Sequence, residues 1–231
     1  MVRVMKCALS APWAALYGDN QVEIAPEDRS RISLDIQGQN NTVIIKKLSN
    51  GAGKIRISLA GDNNTIFLDE GVRIGQYLTI IAGQLHKNFG KIENTDIHIG
   101  KNTGFESCSI FTYNSHALLH IGEQCMIAFD VTIYHTDAHP IYDVEKKNII
   151  NKVKTLSIGN HCWLGARSTI LKNVILPDDC IVGWGSVVSS RSISGGGHCI
   201  LSGNPARVVK TGVTWSSDGS NGYVQNEMSI Q

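Results

Sequence analysis

Six aliphatic residues, Ile158, Leu164, Ile170, Leu176, Val182 and Val188, stand six positions apart without a slip. The same interval joins Ile99, Phe105 and Phe111, and then Ile121, Ile127 and Ile133. Four positions after each aliphatic comes a small or slim residue: Thr103, Ser109, Ser115, Cys125, Val131, Cys162, Ser168, Val174, Cys180, Ser186 and Ser192. The exception is Asp137, four after Ile133, where a loop leaves the frame. A period of six fits neither the helical repeat of about 3.6 residues nor the two-residue alternation of a flat strand. It fits a solenoid with flat β faces, one hexapeptide per face and three faces per coil. The aliphatic points inward, and the small residue fits near a corner where a larger one clashes.

The N-terminal third carries a looser version. Gly38-Gln39-Asn40-Asn41-Thr42 recurs as Gly61-Asp62-Asn63-Asn64-Thr65, each copy preceded by alternating apolar residues (Ile32, Leu34, Ile36; Ile55, Ile57, Leu59). These read as irregular opening coils with Asn and Gly at tight turns. Two interruptions follow: four extra residues between Phe111 and Ile121, and a long excursion between Ile133 and Ile158. Insertions in a solenoid form loops on one side and often carry function, so the excursion is where chemistry is expected. The expected organisation is an N-terminal segment over 1–30, the β-solenoid over 31–194 with its loop at 134–157, and a C-terminal extension and tail over 195–231. The tail from about residue 213 reads as polar and flexible.

Hydrophobic residues make up 42 % of the 231-residue chain, enough to fill such a core. A near balance of 21 basic and 20 acidic residues leaves no basic excess for a nucleic-acid surface. No apolar run approaches a membrane span. Arg3 and Lys6 precede an apolar patch, but Ser10 and Pro12 break it and no small-x-small cleavage site follows, so the segment reads as packing on the body or on a neighbouring subunit, in a cytoplasmic protein. The cysteines Cys7, Cys108, Cys125, Cys162, Cys180 and Cys199 form no CxxC pair and no zinc spacing; they read as buried small hydrophobes.

Four features, in order, resemble the hexapeptide-repeat acyltransferases of the left-handed β-helix type. They are the six-residue period, the loop Thr136-Asp137-Ala138-His139-Pro140-Ile141, the coil Ile158-Gly159-Asn160-His161-Cys162-Trp163-Leu164-Gly165, and the closing Gly203-Asn204-Pro205-Ala206-Arg207-Val208-Val209-Lys210. The loop with Tyr142 is similar to that of enzymes O-acetylating bacterial capsular or other surface polysaccharides, polysialic acid among them. The resemblance implies an all-β fold, a left-handed parallel β-helix with a protruding catalytic loop and a short C-terminal extension. It also implies a homotrimer with sites between subunits, acetyl-CoA as co-substrate, a glycan acceptor and no required metal.

A sugar hydroxyl needs a base at the moment of attack on a thioester, and histidine titrates in the right range. His139 matches the family's histidine before proline and is the expected general base; Pro140 restricts it to extended backbone. Trp163 matches the tryptophan beside the acetyl group and pantetheine arm. The implied cofactor groove adds Gly165, Ala166, Gly183, Trp184, Ser189, Arg207 and Lys210, with Arg191 replacing a lysine of relatives and Trp184 a small residue. For the acceptor, Tyr134 and Tyr142 offer rings to stack on sugars, and His135 is expected to line the pocket or the loop base. Asp137 orients a histidine or caps a turn. Glu106 stands where monosaccharide acetyltransferases carry an asparagine, which argues against a simple galactoside.

Other acceptors fit the same fold, since amino sugars and small amines also use a histidine base. A zinc hydratase of the γ-carbonic-anhydrase kind needs three converging histidines. His116, His120, His135 and His139 supply the number but no matching arrangement.

Overall fold

The structure, a computed structural model, describes residues 17–83, 91–193 and 195–217. The expectations for residues 1–16, including Cys7, and for the tail beyond 217 fall outside the described residues. Coil one holds β1 (Gln21–Ile24), a 3-10 helix over Pro26–Arg31 and β2 (Ile32–Gln37); coil two holds β3 (Thr42–Ile45) and β4 (Lys54–Asp62). Coil three holds β5 (Thr65–Leu68) and β6 (Arg73–Ala82), and β7 (Ile92–Glu93) leads into coil four, with β8 (Asp96–Ile99) and β9 (Gly104–Thr112). Coil five is β10 (Leu118–Ile121), β11 (Met126–Ile127) and β12 (Val131–Tyr134). Coil six is β13 (Thr155–Ile158), β14 (Trp163–Leu164) and β15 (Thr169–Leu171); coil seven is β16 (Ile175–Leu176), β17 (Cys180–Val182) and β18 (Val187–Val188). β19 (Cys199–Gly203) and β20 (Ala206–Thr211) finish the described chain.

The strands form three faces of a prism. Face one bonds β1-β3-β5-β8-β10-β13-β16 in that order. Face two joins the start of β6 and of β9 to β11, β14, β17 and β19. Face three joins β2, β4, the rest of β6 and β9, then β12, β15 and β18. Pairing is parallel throughout except at β20, which turns back antiparallel on β19. In the regular part, coils repeat every 18 positions, as where Trp163 sits beside Ile181. The interruptions read from sequence appear as longer offsets: Asp96 pairs with Leu118, and Leu118 with Thr155, 37 positions on.

The boundaries differ from expectation in three places. The solenoid begins at Gln21 rather than near residue 31, because Val22 and Ile24 already pair with Val43 and Ile45. The loop proper is 135–154, since Tyr134 and Thr155 belong to strands. The C-terminal extension is part of the sheet, because β19 continues face two by pairing with β17. Coil four also slips. Phe105 points inward as expected, but Ile110, not Phe111, is the next large apolar side chain to be buried. Phe105 pairs with Ile127 while Cys108 pairs with Val131, so coil four turns its corner with one residue fewer. Ser109, Phe111 and Ser115 are thereby displaced from the inward frame, and Phe111 packs outside against Tyr134, ring centroids 5.7 Å apart.

Two side-chain columns explain the motifs. In the repeated Gly-x-Asn-Asn, the second Asn is buried and forms a ladder. Asn41 Nδ2 donates to Asn20 Oδ1 (2.9 Å) and to the Gly61 carbonyl (2.8 Å), and Asn41 Oδ1 accepts from the Asn64 main-chain N–H and Nδ2. Between faces one and two, the slim residue in the frame is also a donor. Thr103 Oγ1 donates to the Gly122 carbonyl, Cys125 Sγ to that of Gly159, and Cys162 Sγ to that of Pro177. The cysteines thus supply donors to main-chain carbonyls at the corner of the next coil. The glycine after each aliphatic follows from coil stacking: a Cβ on Gly122 would lie 2.6 Å from the main chain of Gly159.

Candidate functional site

The loop leaves between faces three and one, where β12 ends. Its base is tied to neighbouring coils. Thr136 Oγ1 donates to Asn114 Oδ1 and accepts from the Ala138 N–H; the Lys154 N–H donates to Asn173 Oδ1. Lys172 Nζ pairs with Asp137 and donates to the Asn151 carbonyl. Beyond Pro140 the chain forms a hairpin arm, with an antiparallel bridge between Tyr142 and Ile149 and a tip turned by Asp143, whose Oδ1 accepts from the Glu145 and Lys146 N–H groups. Ile141, Tyr142, Val144, Ile149 and Ile150 are exposed along it; Val144 is 90 % exposed.

His139 lies exposed at the start of this arm, its N–H donating to the Asp137 carbonyl. Asp137 is a tie of the loop. Burial would raise its pKa, but hydrogen bonds from Lys172 and Asn151 and the Lys172 charge outweigh that and hold it below the usual carboxylate range. His135 sits at the loop base with its side chain wholly buried, so it offers an acceptor no surface. Neither ring nitrogen has a partner in hydrogen-bond geometry. Burial drives its pKa down to about 4, opposed in part by the nearby main chain of Lys154 and Leu118. The unfolded chain therefore binds this proton near pH 6.5 and the folded chain only near pH 4, so acid destabilises the fold across that window. Stability should fall by up to about 3 kcal/mol from this group as pH drops from 7 to 4. Denaturant titrations of wild type and His135→Leu should show this slope in the first and lose it in the second.

Trp163 begins face two, 36 % exposed, directly after the corner between faces one and two. The loop and its ties lie at the opposite edge of face one, so the fold does not bring His139 and Trp163 to one place through the coil of a single chain. At the Trp163 corner the structure gathers residues that the repeat pattern did not single out. His161 Nδ1 pairs with Asp179 Oδ1 at 2.8 Å, and Thr214 Oγ1 donates to the same oxygen at 2.9 Å. Trp215 stacks on the His161 ring (centroids 4.5 Å, 7° between planes) and donates from Nε1 to the His161 carbonyl at 2.7 Å. Its ring lies 6.0 Å from that of Trp163. Residues 213–217, expected to be part of a flexible tail, are docked back along this edge, with the Val213 N–H on the His198 carbonyl. Burial opposes ionisation of Asp179, but His161 and Thr214 more than compensate and its pKa lies below the usual range.

The expected cofactor residues sit elsewhere on the last coils. Gly165 and Gly183 continue the stacked corner between faces two and three; a Cβ on Gly165 would lie 2.6 Å from the Val182 carbonyl, so coil packing alone demands glycine there. Ala166 is buried. Trp184 is 70 % exposed on the same corner, with the Arg167 guanidinium 5.8 Å from its ring centre. Ser189 is half-buried, its N–H donating to Ser192 Oγ, and Arg191 is exposed. Arg207 and Lys210 are exposed on β20. Glu106 is engaged by Arg73 at 2.5 Å on the corner of coil four, and Tyr134 by Phe111. Among the described residues no three His, Cys, Asp or Glu side chains gather to hold a metal ion, and no helix is long and apolar enough to cross a membrane.

No family model matches the chain. It is similar to a polysialic acid O-acetyltransferase of Neisseria meningitidis, 31 % identical over 148 residues, covering 59 % of this chain and 68 % of that protein. It is also similar to a polysialic acid O-acetyltransferase of Escherichia coli O1:K1 / APEC (32 % over 96 residues; 42 % of this chain and 30 % of that one). A galactoside O-acetyltransferase of Escherichia coli K12 is 30 % identical over 116 residues, 50 % of this chain and 54 % of that one. The chain thus spans about two thirds of the first relative, under a third of the second and about half of the third. Among solved structures, the polysialic-acid-specific acetyltransferase NeuO superposes with a TM-score of 0.65 at 26 % identity, over 87 % of this chain and 99 % of that one. The polysialic acid O-acetyltransferase OatWY gives 0.65 at 24 % identity, over 92 % and 94 %, a likeness of fold.

Proposed function

The chain belongs to the hexapeptide-repeat acetyltransferases and has their left-handed parallel β-helix fold, and from that premise we propose that it moves an acetyl group from acetyl-CoA to a hydroxyl of polysialic acid or a similar bacterial surface polysaccharide. We place the protein in the cytoplasm, working as a homotrimer. The observation that carries the reading is the division of the site. His139 stands on an arm at one edge of face one, Trp163 with its aromatic neighbours stands at the other, and the arm's apolar residues are exposed. Arm and tryptophan edge become one cleft when the arm of one subunit reaches the neighbouring subunit.

In that cleft His139 takes the proton of the sugar hydroxyl as its oxygen attacks the thioester carbonyl. The tetrahedral intermediate expels the CoA thiolate, which takes the proton from His139. Holding both substrates together makes a covalent enzyme intermediate unnecessary. Trp163 supports the acyl end, and Arg207, Lys210 and Arg191 are fixed cations for the CoA phosphates. Lys146, Lys147, Lys152 and Lys154 are exposed along the arm and its return limb and outnumber Asp143 and Glu145 at its tip, a net positive charge that favours a polyanionic acceptor.

The test is thiol release from acetyl-CoA with polysialic acid against neutral glycans and amino sugars. Release that depends on the polyanion and weakens with salt supports the reading; release only with amines transfers the enzyme to N-acetylation. Co-expression of two inactive variants, His139→Ala and Trp163→Ala, examines the shared cleft. Random mixing restores both residues at roughly a quarter of the interfaces, so about that fraction of activity should return. A mixture as dead as its components places the whole site in one chain.

A further inference from the structure

We infer that Asn151 is a positioning residue for His139, acting through a three-way clamp on the main chain that carries the histidine. This rests on the reading of His139 as the general base. The segment 136–141 has left the sheet ladder, so no coil above or below pairs with it, and it includes Ala138 at φ 60°, a conformation that a residue with a Cβ adopts at a cost. Something outside the ladder has to hold it. The carboxamide of Asn151, on the return limb, does so with both of its amide hydrogens and its oxygen. Nδ2 donates to Asp137 Oδ2 at 2.7 Å and to the His139 carbonyl at 2.9 Å, and Oδ1 accepts from the Ile141 N–H at 2.8 Å. The pattern on 139 and 141, carbonyl and N–H two residues apart, is the one a neighbouring strand would present. A single side-chain amide thus stands in for a missing peptide on either side of Pro140.

The clamp is itself anchored to the coil. Lys172, just after β15, donates from Nζ to the Asn151 carbonyl at 3.3 Å and pairs with Asp137, closing a ring of Asp137, Asn151 and Lys172. The ring reaches from the rigid prism to the main chain of His139. Few side chains can replace Asn151. Ionised aspartate has no donor and brings a second carboxylate to Asp137; glutamine carries the same amide one methylene too far; alanine takes the clamp off the His139 carbonyl and the Ile141 N–H and leaves Asp137 to Lys172 alone.

The experiment compares wild type, Asn151→Ala, Asn151→Asp, His139→Ala and the double variant His139→Ala/Asn151→Ala, each checked for trimer mass and thermal midpoint. The expected result for Asn151→Ala is a kcat about 10- to 100-fold lower with the KM for acetyl-CoA unchanged. Combined with His139→Ala it should cost little more, because a residue that works only by aiming His139 has nothing left to aim. Asn151→Asp, which has no donor when ionised, should lower kcat at least as far as Asn151→Ala, again with the KM for acetyl-CoA unchanged. Wild-type kcat in Asn151→Ala, or an additive loss in the double variant, overturns the inference while leaving the base in place. Full activity in His139→Ala removes the base and the inference with it.

Discussion

Replacing His139 by alanine should lower kcat by about 10²- to 10⁴-fold while leaving the KM for acetyl-CoA and the thermal midpoint close to wild type. The size follows from the chemistry: without a base, the hydroxyl must attack while still holding its proton, and the attacking oxygen gains positive charge in the transition state. The small effect on stability follows from the place of the side chain, exposed on an arm outside the core. Thiol release under saturating acceptor, together with calorimetry, measures both. Retained turnover would transfer the proton-accepting role to a different group. The structure points to His161 for that, beside Trp163 and held by Asp179, and away from His135, which is sealed in the interior and resists protonation.

The largest effect on stability outside the apolar core is expected from Asn41→Ala. Removing this amide leaves the Gly61 carbonyl, the Asn64 main-chain N–H and one Asn64 amide hydrogen without partners, inside a column where Asn41 is 1 % exposed. Each orphaned buried group costs about 1–3 kcal/mol, so a total of about 3–5 kcal/mol is expected. The loss should be local to the first coils, which the ladder links, and hydrogen exchange should show β1 to β5 opening before β13 to β18. Uniform exchange across all coils, or a stability unchanged by the substitution, would show that the ladder is dispensable.

The regular coils were readable because a six-residue period has one packing solution, and β10 to β18 follow it closely. Coil four was misread at Phe111 because Ile110 and Phe111 are equally apolar; only the pairing of Cys108 with Val131 shows which of them faces inward. The start at Gln21 escaped notice because Val22 and Ile24 make a short alternation that gains meaning beside Val43 and Ile45. Trp215 escaped for a similar reason: an isolated tryptophan in a polar tail has no period, and its partner His161 lies far away in sequence. Asn151 is likewise silent in sequence, since its three bonds depend on a turn of the loop.

The sequence by itself determined the solenoid and its interruptions, because a period is a local property of the chain, while His139 and Trp163 became candidates through the resemblance of the motifs that hold them. Only the tertiary structure decided that those two residues lie on opposite edges of one face, that His135 is sealed inside, and that Asn151 and Lys172 hold the loop. These depend on how many residues each corner consumes and on which coil lies above which, and stacking, not spacing, sets both.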